Sequence, residues 1–393
     1  MLAQRLRQVQ PARTMEMNER AQTLQRQGIS IWNLTAGEPD FPTPAPVQEA
    51  ALQAMRAGHT RYTPSAGIPE LRAALAQWET ARLGLEVRPD QVIVTSGGKQ
   101  ALYNFFMAFL NPGDEVLIPT PCWVSFYEQV RLADGLPVFV PTSPDHGFFP
   151  TVHDLERYRT ARTRALVLNT PNNPTGQVLR PEALQAIVSW SVERGIVIVF
   201  DECYADLTFP PHRHWHPLQQ VPEARPWVVS VNTFSKTFCM TGWRVGWAVG
   251  PEAWVAAMTT VQSHSTSHPT SISQWAALAA LQLPTDLIQS MRATYERRAR
   301  WVCDRLAQRP GLRPYRPQGT FYVWVDVRNW LEALGTDDFG LALRLLEEAH
   351  VATVPGEAFQ MPGYLRLSFA TSEAVLENAL TALMDFADRH GLP

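Results

Sequence analysis

Between Gln91 and Gly250 the chain repeats one pattern, in which a short run of β-branched residues gives way to a turn and then to a stretch with helical spacing. The runs are QVIVTS, EVLIP, PVFVP, ALVLN, IVIVF, WVVSVN and VGWAVG. Runs this apolar suit strands covered on both faces, and the helical stretches between them supply the cover. The segment therefore reads as an α/β fold on a mainly parallel sheet. One crossover helix is legible in detail: Leu102, Phe105, Phe106, Phe109 and Leu110 recur at helical spacing, and Asn111-Pro112-Gly113-Asp114 stops it. In open sheets of this kind ligands collect beyond the carboxyl ends of the strands, so the residues that follow each run are the ones to inspect.

After Pro284 a long Arg-rich helical stretch leads into FYVWVDV, a further helix, VATVP, YLRLSF and a last helix to about residue 389. This predicts a second, smaller α/β layer. The turn formers Gly37-Glu38-Pro39-Asp40-Phe41-Pro42 join an N-terminal helical arm to the main body. The expected division is an arm and part of a small domain over 1–45, a large domain over 46–285, and the C-terminal small domain over 286–393.

Acids and bases are mixed along the chain and sum to a formal charge of -3, which leaves no basic stripe for nucleic acid and no polybasic membrane patch. Apolar runs such as GIVIVF are too short to span a bilayer, and the first residues lack the apolar core of a secretory signal, so a cytoplasmic location is expected. Cys122, Cys203, Cys239 and Cys303 have neither disulfide-framework nor metal-ligand spacing, and no metal is expected.

Of the 34 basic residues only Lys99 and Lys236 are lysine. A bias this strong toward arginine makes each surviving lysine a candidate for amine chemistry, because an ε-amine can lose its proton and condense with a carbonyl, whereas a guanidinium cannot. Lys236 lies in Thr233-Phe234-Ser235-Lys236, directly after the run WVVSVN, and Arg244 follows in Thr241-Gly242-Trp243-Arg244. Two hydroxyls and a planar guanidinium beside an amine suit a phosphorylated aldehyde.

Asp201 ends the run IVIVF, with Tyr204 three residues on. A carboxylate at a buried strand end needs a cationic partner, and a pyridine nitrogen would be one; Tyr204 would then meet the phenolic oxygen of the same ring. A helix cap beside a packed tyrosine is the alternative reading of that pair. After ALVLN comes Thr170-Pro171-Asn172-Asn173-Pro174-Thr175-Gly176, where the following proline holds Asn173 in an extended or turn conformation. Ser96-Gly97-Gly98-Lys99 closes the first run and opens the crossover helix, where bare glycine N–H groups can receive an anion.

In order, SGGKQAL, PNNPTG, DECY and SK followed by GWR resemble the fold-type-I pyridoxal-phosphate enzymes, specifically the class I aminotransferases of the aspartate aminotransferase family in its short-loop, bacterial-type subgroup. AGEPDFPTP, RYTPSAGIPELR and YLRLSFA extend the resemblance over nearly the whole chain. It implies pyridoxal 5'-phosphate as cofactor, Lys236 as the Schiff-base lysine, Asp201 as the partner of the pyridinium, and Asn173 and Tyr204 as partners of the phenolic oxygen. It further implies that Gly97, Gly98, Thr233, Ser235 and Arg244 hold the phosphate, that Tyr62 reaches it from the other subunit of a homodimer, and that Trp123 stacks on the ring. Arg366 would grip the substrate α-carboxylate, helped by the backbone of Gly37.

The expected reaction moves an amino group between an amino acid and a 2-oxo acid with ping-pong kinetics. A lysine in GGK, here Lys99, is associated in this subgroup with aspartate and glutamate recognition; the alternative reading is a cofactor contact, positive charge beside the phosphate. Arg13 would add a second cation from the arm, and related enzymes also use prephenate. Carbon–sulfur β-lyases and aminotransferase-like regulators share the fold; Lys99 favours transamination over the first, and about 30 residues before the GEPDF loop leave no room for the DNA-binding module of the second.

Overall fold

The computed structural model describes residues 4–9 and 13–393. Seven strands form the large sheet: β1 (Val92–Thr95), β2 (Glu115–Thr120), β3 (Leu136–Pro141), β4 (Thr163–Asn169), β5 (Val197–Asp201), β6 (Val228–Thr233) and β7 (Gly246–Val249). They lie in the order β1-β7-β6-β5-β4-β2-β3. Of the seven only β7 runs antiparallel to its neighbours, with Gly246 opposite both Thr95 and Thr233. The carboxyl ends of the other six therefore share one rim, and β7 begins there.

Alternation along the strands covers both faces. Val197 and Val199 pack with Phe105, Phe106 and Val130, whereas Ile198 and Phe200 pack with Leu184, Ile187 and Val188 on the opposite side. This doubly buried pattern is why the runs read as continuous apolar stretches rather than as alternating ones. The crossover helix expected after the first run is α2 (Gly98–Phe109). Its stop is held by Asp114, whose Oδ2 accepts from the Asn111 N–H at 2.8 Å.

The second layer is an antiparallel sheet of β8 (Arg313–Tyr315), β9 (Tyr322–Asp326), β10 (Val354–Pro355) and β11 (Tyr364–Ser368), in the order β10-β11-β9-β8. The segment VATVP, expected as one strand, divides at Thr353. Val351–Ala352 pairs in parallel with Trp32–Asn33, and Val354–Pro355 pairs with β11. One residue between two pairing partners lets this segment stitch the N-terminal part of the chain to the small sheet. Met17 and Ala21 of α1 (Arg13–Arg26) and Leu34 pack in one core with Tyr295 and Val302 of α4 (Thr285–Leu306), Phe321, Trp330, and Leu380 and Phe386 of α5 (Glu373–Arg389). Arg13 begins α1, but its side chain lies outside the described residues. No helix among the described residues is long and apolar enough to cross a membrane.

Candidate active site

A cavity of about 520 Å³ opens where the carboxyl rim of the large sheet meets α1, the 35–38 segment and the small sheet. Each loop singled out in the sequence reaches it. Lys236 stands on a four-residue helix, Phe234–Thr237, that starts as soon as β6 ends; Thr233 caps it, its side chain accepting from the Ser235 N–H at 3.2 Å. The Thr233 hydroxyl also donates to Ser235 Oγ at 2.9 Å. Lys236 Nζ donates to the Gly37 carbonyl at 2.5 Å. Burial lowers its pKa from the ordinary 10.5, and Arg366 and Arg244 push the same way. Desolvation disfavours the cation, so the amine is poised toward its neutral, nucleophilic form.

Asp201 is buried at the end of β5, and its Oδ1 accepts from the Cys203 N–H at 3.1 Å. Burial raises its pKa to about 6, against the pull of that hydrogen bond. A carboxylate held this dry gains most from a cation placed against it. Gly97 precedes α2 at φ +83°, and a Cβ there would come within 2.7 Å of an Arg244 Nη atom. Gly246 is as tightly constrained, since a Cβ would meet the Gly98 nitrogen at 2.5 Å. Bare backbone at these two positions lets the α2 N-terminus, Arg244, Thr233 and Ser235 close on one small volume. The Gly97 N–H donates to the Thr95 carbonyl at 2.8 Å; the N–H groups of the first turn of α2, a guanidinium and hydroxyls make that volume an anion cradle.

Arg366, in the centre of β11, is buried. It donates through Nη1 to Asn173 Oδ1 at 3.0 Å and through Nη2 to the Thr35 carbonyl at 2.9 Å. Its Nε is buried without a partner, a donor left over in the cavity wall. Burial lowers its pKa, and no carboxylate pairs with it among the described residues. Because Asn173 spends its oxygen on Arg366, its amide N–H groups remain as donors.

Trp123 immediately precedes α3 (Val124–Leu132), and Lys99 Nζ sits 4.9 Å from its ring centroid. Burial and then Arg244 lower the Lys99 pKa. Tyr62 is not brought into the cavity of its own chain: it is 92% exposed and meets His268 edge-on at 5.6 Å.

Several lining residues were not singled out in the sequence: Asn18 and Gln22 of α1, Thr35, Cys203 and Tyr322. Asn18 Oδ1 accepts from Asn33 Nδ2 at 3.0 Å and from the Thr35 hydroxyl at 3.2 Å, tying α1 to the segment that holds Arg366. Behind Asp201, Glu202 points away from the cavity into a buried cluster. Arg82 bridges Glu202 and Glu79, His214 Nε2 lies 2.8 Å from Glu202, and Trp247 donates to Glu79 at 2.8 Å. No metal-holding group of His, Cys, Asp and Glu occurs among the described residues.

A mainly parallel sheet covered on both faces, with an amine, a carboxylate and an anion cradle along one rim and a small antiparallel sheet facing them, is the architecture of the fold-type-I transferases, and this chain is one of them. It belongs to the aminotransferase class I and II family, whose sequence model matches residues 29–383, and it is an amino-acid/2-oxo-acid transaminase. The family implies pyridoxal phosphate. The chain is similar to the aspartate/prephenate aminotransferase of Thermus thermophilus, at 45% identity over 96% of this chain and 97% of the relative. It is also similar to the aspartate aminotransferase of Geobacillus stearothermophilus, at 42% identity over 98% of this chain and 99% of that one. The solved structure of aspartate aminotransferase from Thermus thermophilus with maleate superposes with a TM-score of 0.93 at 44% identity, covering 98% of this chain and 99% of that one.

Proposed function

We propose that the cavity binds pyridoxal 5'-phosphate and catalyses transamination of dicarboxylic amino acids, aspartate or glutamate, with a 2-oxo acid. The donor set fits the cofactor. The cradle of Gly97, Gly98, Thr233, Ser235 and Arg244 takes the phosphate, Asp201 takes the ring nitrogen, Trp123 stacks on the ring, and Asn173 and Tyr204 take the ring oxygen. When bound, the cofactor supplies an electron sink for the carbanion formed at the amino acid's α-carbon.

The chain's own residues do the rest. Lys236, its amine desolvated, would hold the cofactor through its aldehyde and serve as the general base and acid that moves a proton. Asp201 holds a positive charge at the sink end of the ring. Arg366 takes the α-carboxylate through its fork, including the unpartnered Nε, with the Gly37 backbone beside it. Lys99 offers a cation to the distal carboxylate from above Trp123, while Asn18 and Gln22 close the facing wall. The observation that carries this reading is the convergence of Lys236, Asp201, Arg244 and Arg366 on one cavity. The maleate named with the Thermus thermophilus structure is a dicarboxylate, which agrees with the specificity.

Two further points belong to this reading. Residues 1–45 with 286–393 act as a small domain against 46–285, and the working unit is a homodimer in which the exposed Tyr62 completes the phosphate site of the neighbouring subunit. The test is a visible absorption spectrum of the cofactor-loaded protein. A band that aspartate bleaches and 2-oxoglutarate restores supports the proposal. A band indifferent to aspartate refutes the specificity, pyruvate released from cystathionine without an acceptor indicates a β-lyase instead, and no band refutes cofactor binding at Lys236.

A further inference from the structure

Tyr322 is placed at the junction of the site's two halves. Its hydroxyl lies 3.0 Å from that of Tyr204. Its ring face carries the Arg366 guanidinium, with Cζ 4.2 Å from the centroid. Tyr204 and Tyr322 are both buried and both line the cavity.

A hydroxyl has one proton and two lone pairs. The Tyr204–Tyr322 hydrogen bond uses one of the pair's two protons, and among the described residues neither hydroxyl has a further hydrogen-bond partner. The second proton is therefore available to a ligand in the cavity. With Tyr322 donating to Tyr204, that proton is Tyr204's own, and accepting a hydrogen bond makes Tyr204 a stronger donor in turn. Arg366 over the Tyr322 ring favours this orientation, since a cation against the π face draws electron density from the phenol and makes its O–H the better donor. The ionisable groups that face the pair are Cys203 and Arg366, with Lys236 Nζ 5.9 Å from the Tyr204 ring centroid; Asp201, Glu38 and Arg244 bear on that lysine rather than on the tyrosines.

We infer that Tyr322 is a positioning residue that orients and strengthens the Tyr204 hydroxyl toward the cofactor's ring oxygen. The inference rests on the proposed cofactor site. Its consequence is that Tyr322 acts through Tyr204 and favours the deprotonated cofactor, because a donor aimed at an oxygen stabilises its anionic form.

The experiment is a double-mutant cycle on the pyridoxal-phosphate-loaded protein, read as the pH midpoint of the visible absorption change rather than as activity. Tyr204→Phe and Tyr322→Phe each keep a ring and lose a hydroxyl. The expected result is a midpoint raised by both single variants, more by Tyr204→Phe and by about half a unit or more for Tyr322→Phe, with the double variant no higher than Tyr204→Phe alone. Titration with maleate, which does not react, checks the arginine: its affinity should change less than about threefold in Tyr322→Phe, since phenylalanine retains the face for Arg366. An unmoved midpoint in Tyr322→Phe overturns the inference and leaves the cofactor site standing. A Tyr322→Phe shift that persists in the Tyr204→Phe background also overturns it, because Tyr322 would then act directly. Absence of any visible band in the parent protein overturns the inference together with the site.

Discussion

Arg366 and Asn173 are joined by a hydrogen bond of 3.0 Å that crosses from β11, an inner strand of the small sheet, to the turn after β4 of the large one. The proposed carboxylate grip and the proposed ring-oxygen donor are thus fixed against each other. Arg366→Lys keeps the charge and loses the fork, so kcat/KM for aspartate should fall on the order of 10²-fold. Steady-state kinetics across aspartate and 2-oxoglutarate check it, and a fall under threefold would refute the carboxylate role.

Lys99 bears on the length of the substrate. In the proposed reading its Nζ, 4.9 Å from the Trp123 ring centroid, meets the second carboxylate and not the first. Lys99→Met should lower kcat/KM for aspartate about 10- to 100-fold, as expected for losing one charged hydrogen bond, and change that for alanine little. Equal losses on both substrates would show that Lys99 serves the phosphate instead.

Asp201 predicts a pH dependence in the cofactor-free protein. Its folded pKa of about 6 lies above the ordinary 3.8 because burial favours the neutral form. Between these values the folded state binds more protons than the unfolded one, so the Asp201 contribution is full below 3.8 and is lost as pH rises through about 6. Cofactor-free Asp201→Asn should be the more stable protein at pH 7 by up to about 3 kcal/mol, with the gap closing toward pH 4. Denaturant melts at several pH values measure the gap, and the variant should bind pyridoxal phosphate more weakly although it is more stable without it.

Arg82 is bound to stability rather than to chemistry. Removing it strands Glu79 and Glu202 as buried carboxylates without their shared cation. Arg82→Ala should cost about 3 to 5 kcal/mol in urea unfolding, the usual penalty for breaking a buried pair from one side.

Tyr62 tests the subunit arrangement. Tyr62→Phe should weaken pyridoxal-phosphate affinity about tenfold, the worth of one hydrogen bond to a charged group, although Tyr62 is outside the cavity of its own chain. Equilibrium dialysis of the dimer reads the loss, and a monomer in sedimentation would refute the arrangement.

The large sheet was legible because its strands are buried on both faces and announce themselves as β-branched runs, and Lys236, Asp201 and Gly97 were legible because they follow those runs directly. Thr35, Asn18 and Tyr322 were not. They join the cavity only through the packing of α1, the 35–38 segment and β9 against the large sheet, a long-range arrangement that local spacing does not encode. Tyr322 carried a faint signal in FYVWVDV, a polar hydroxyl at the start of a strand that is apolar up to Asp326. Glu202 had none beyond its place beside Asp201, since pairing with Arg82 links residues 120 positions apart.

The reversal of β7 has a bearing on how such a site can vary. Because β6 and β7 are antiparallel neighbours, the stretch from Phe234 to Val245 leaves the sheet and returns to the same rim, carrying both Lys236 and Arg244 on one tether. The distance from amine to guanidinium is therefore set by a ruler of fixed residue count. If one cofactor meets both through its aldehyde and its phosphate, as proposed, inserting or deleting even one residue between Lys236 and Arg244 would put its two ends out of step.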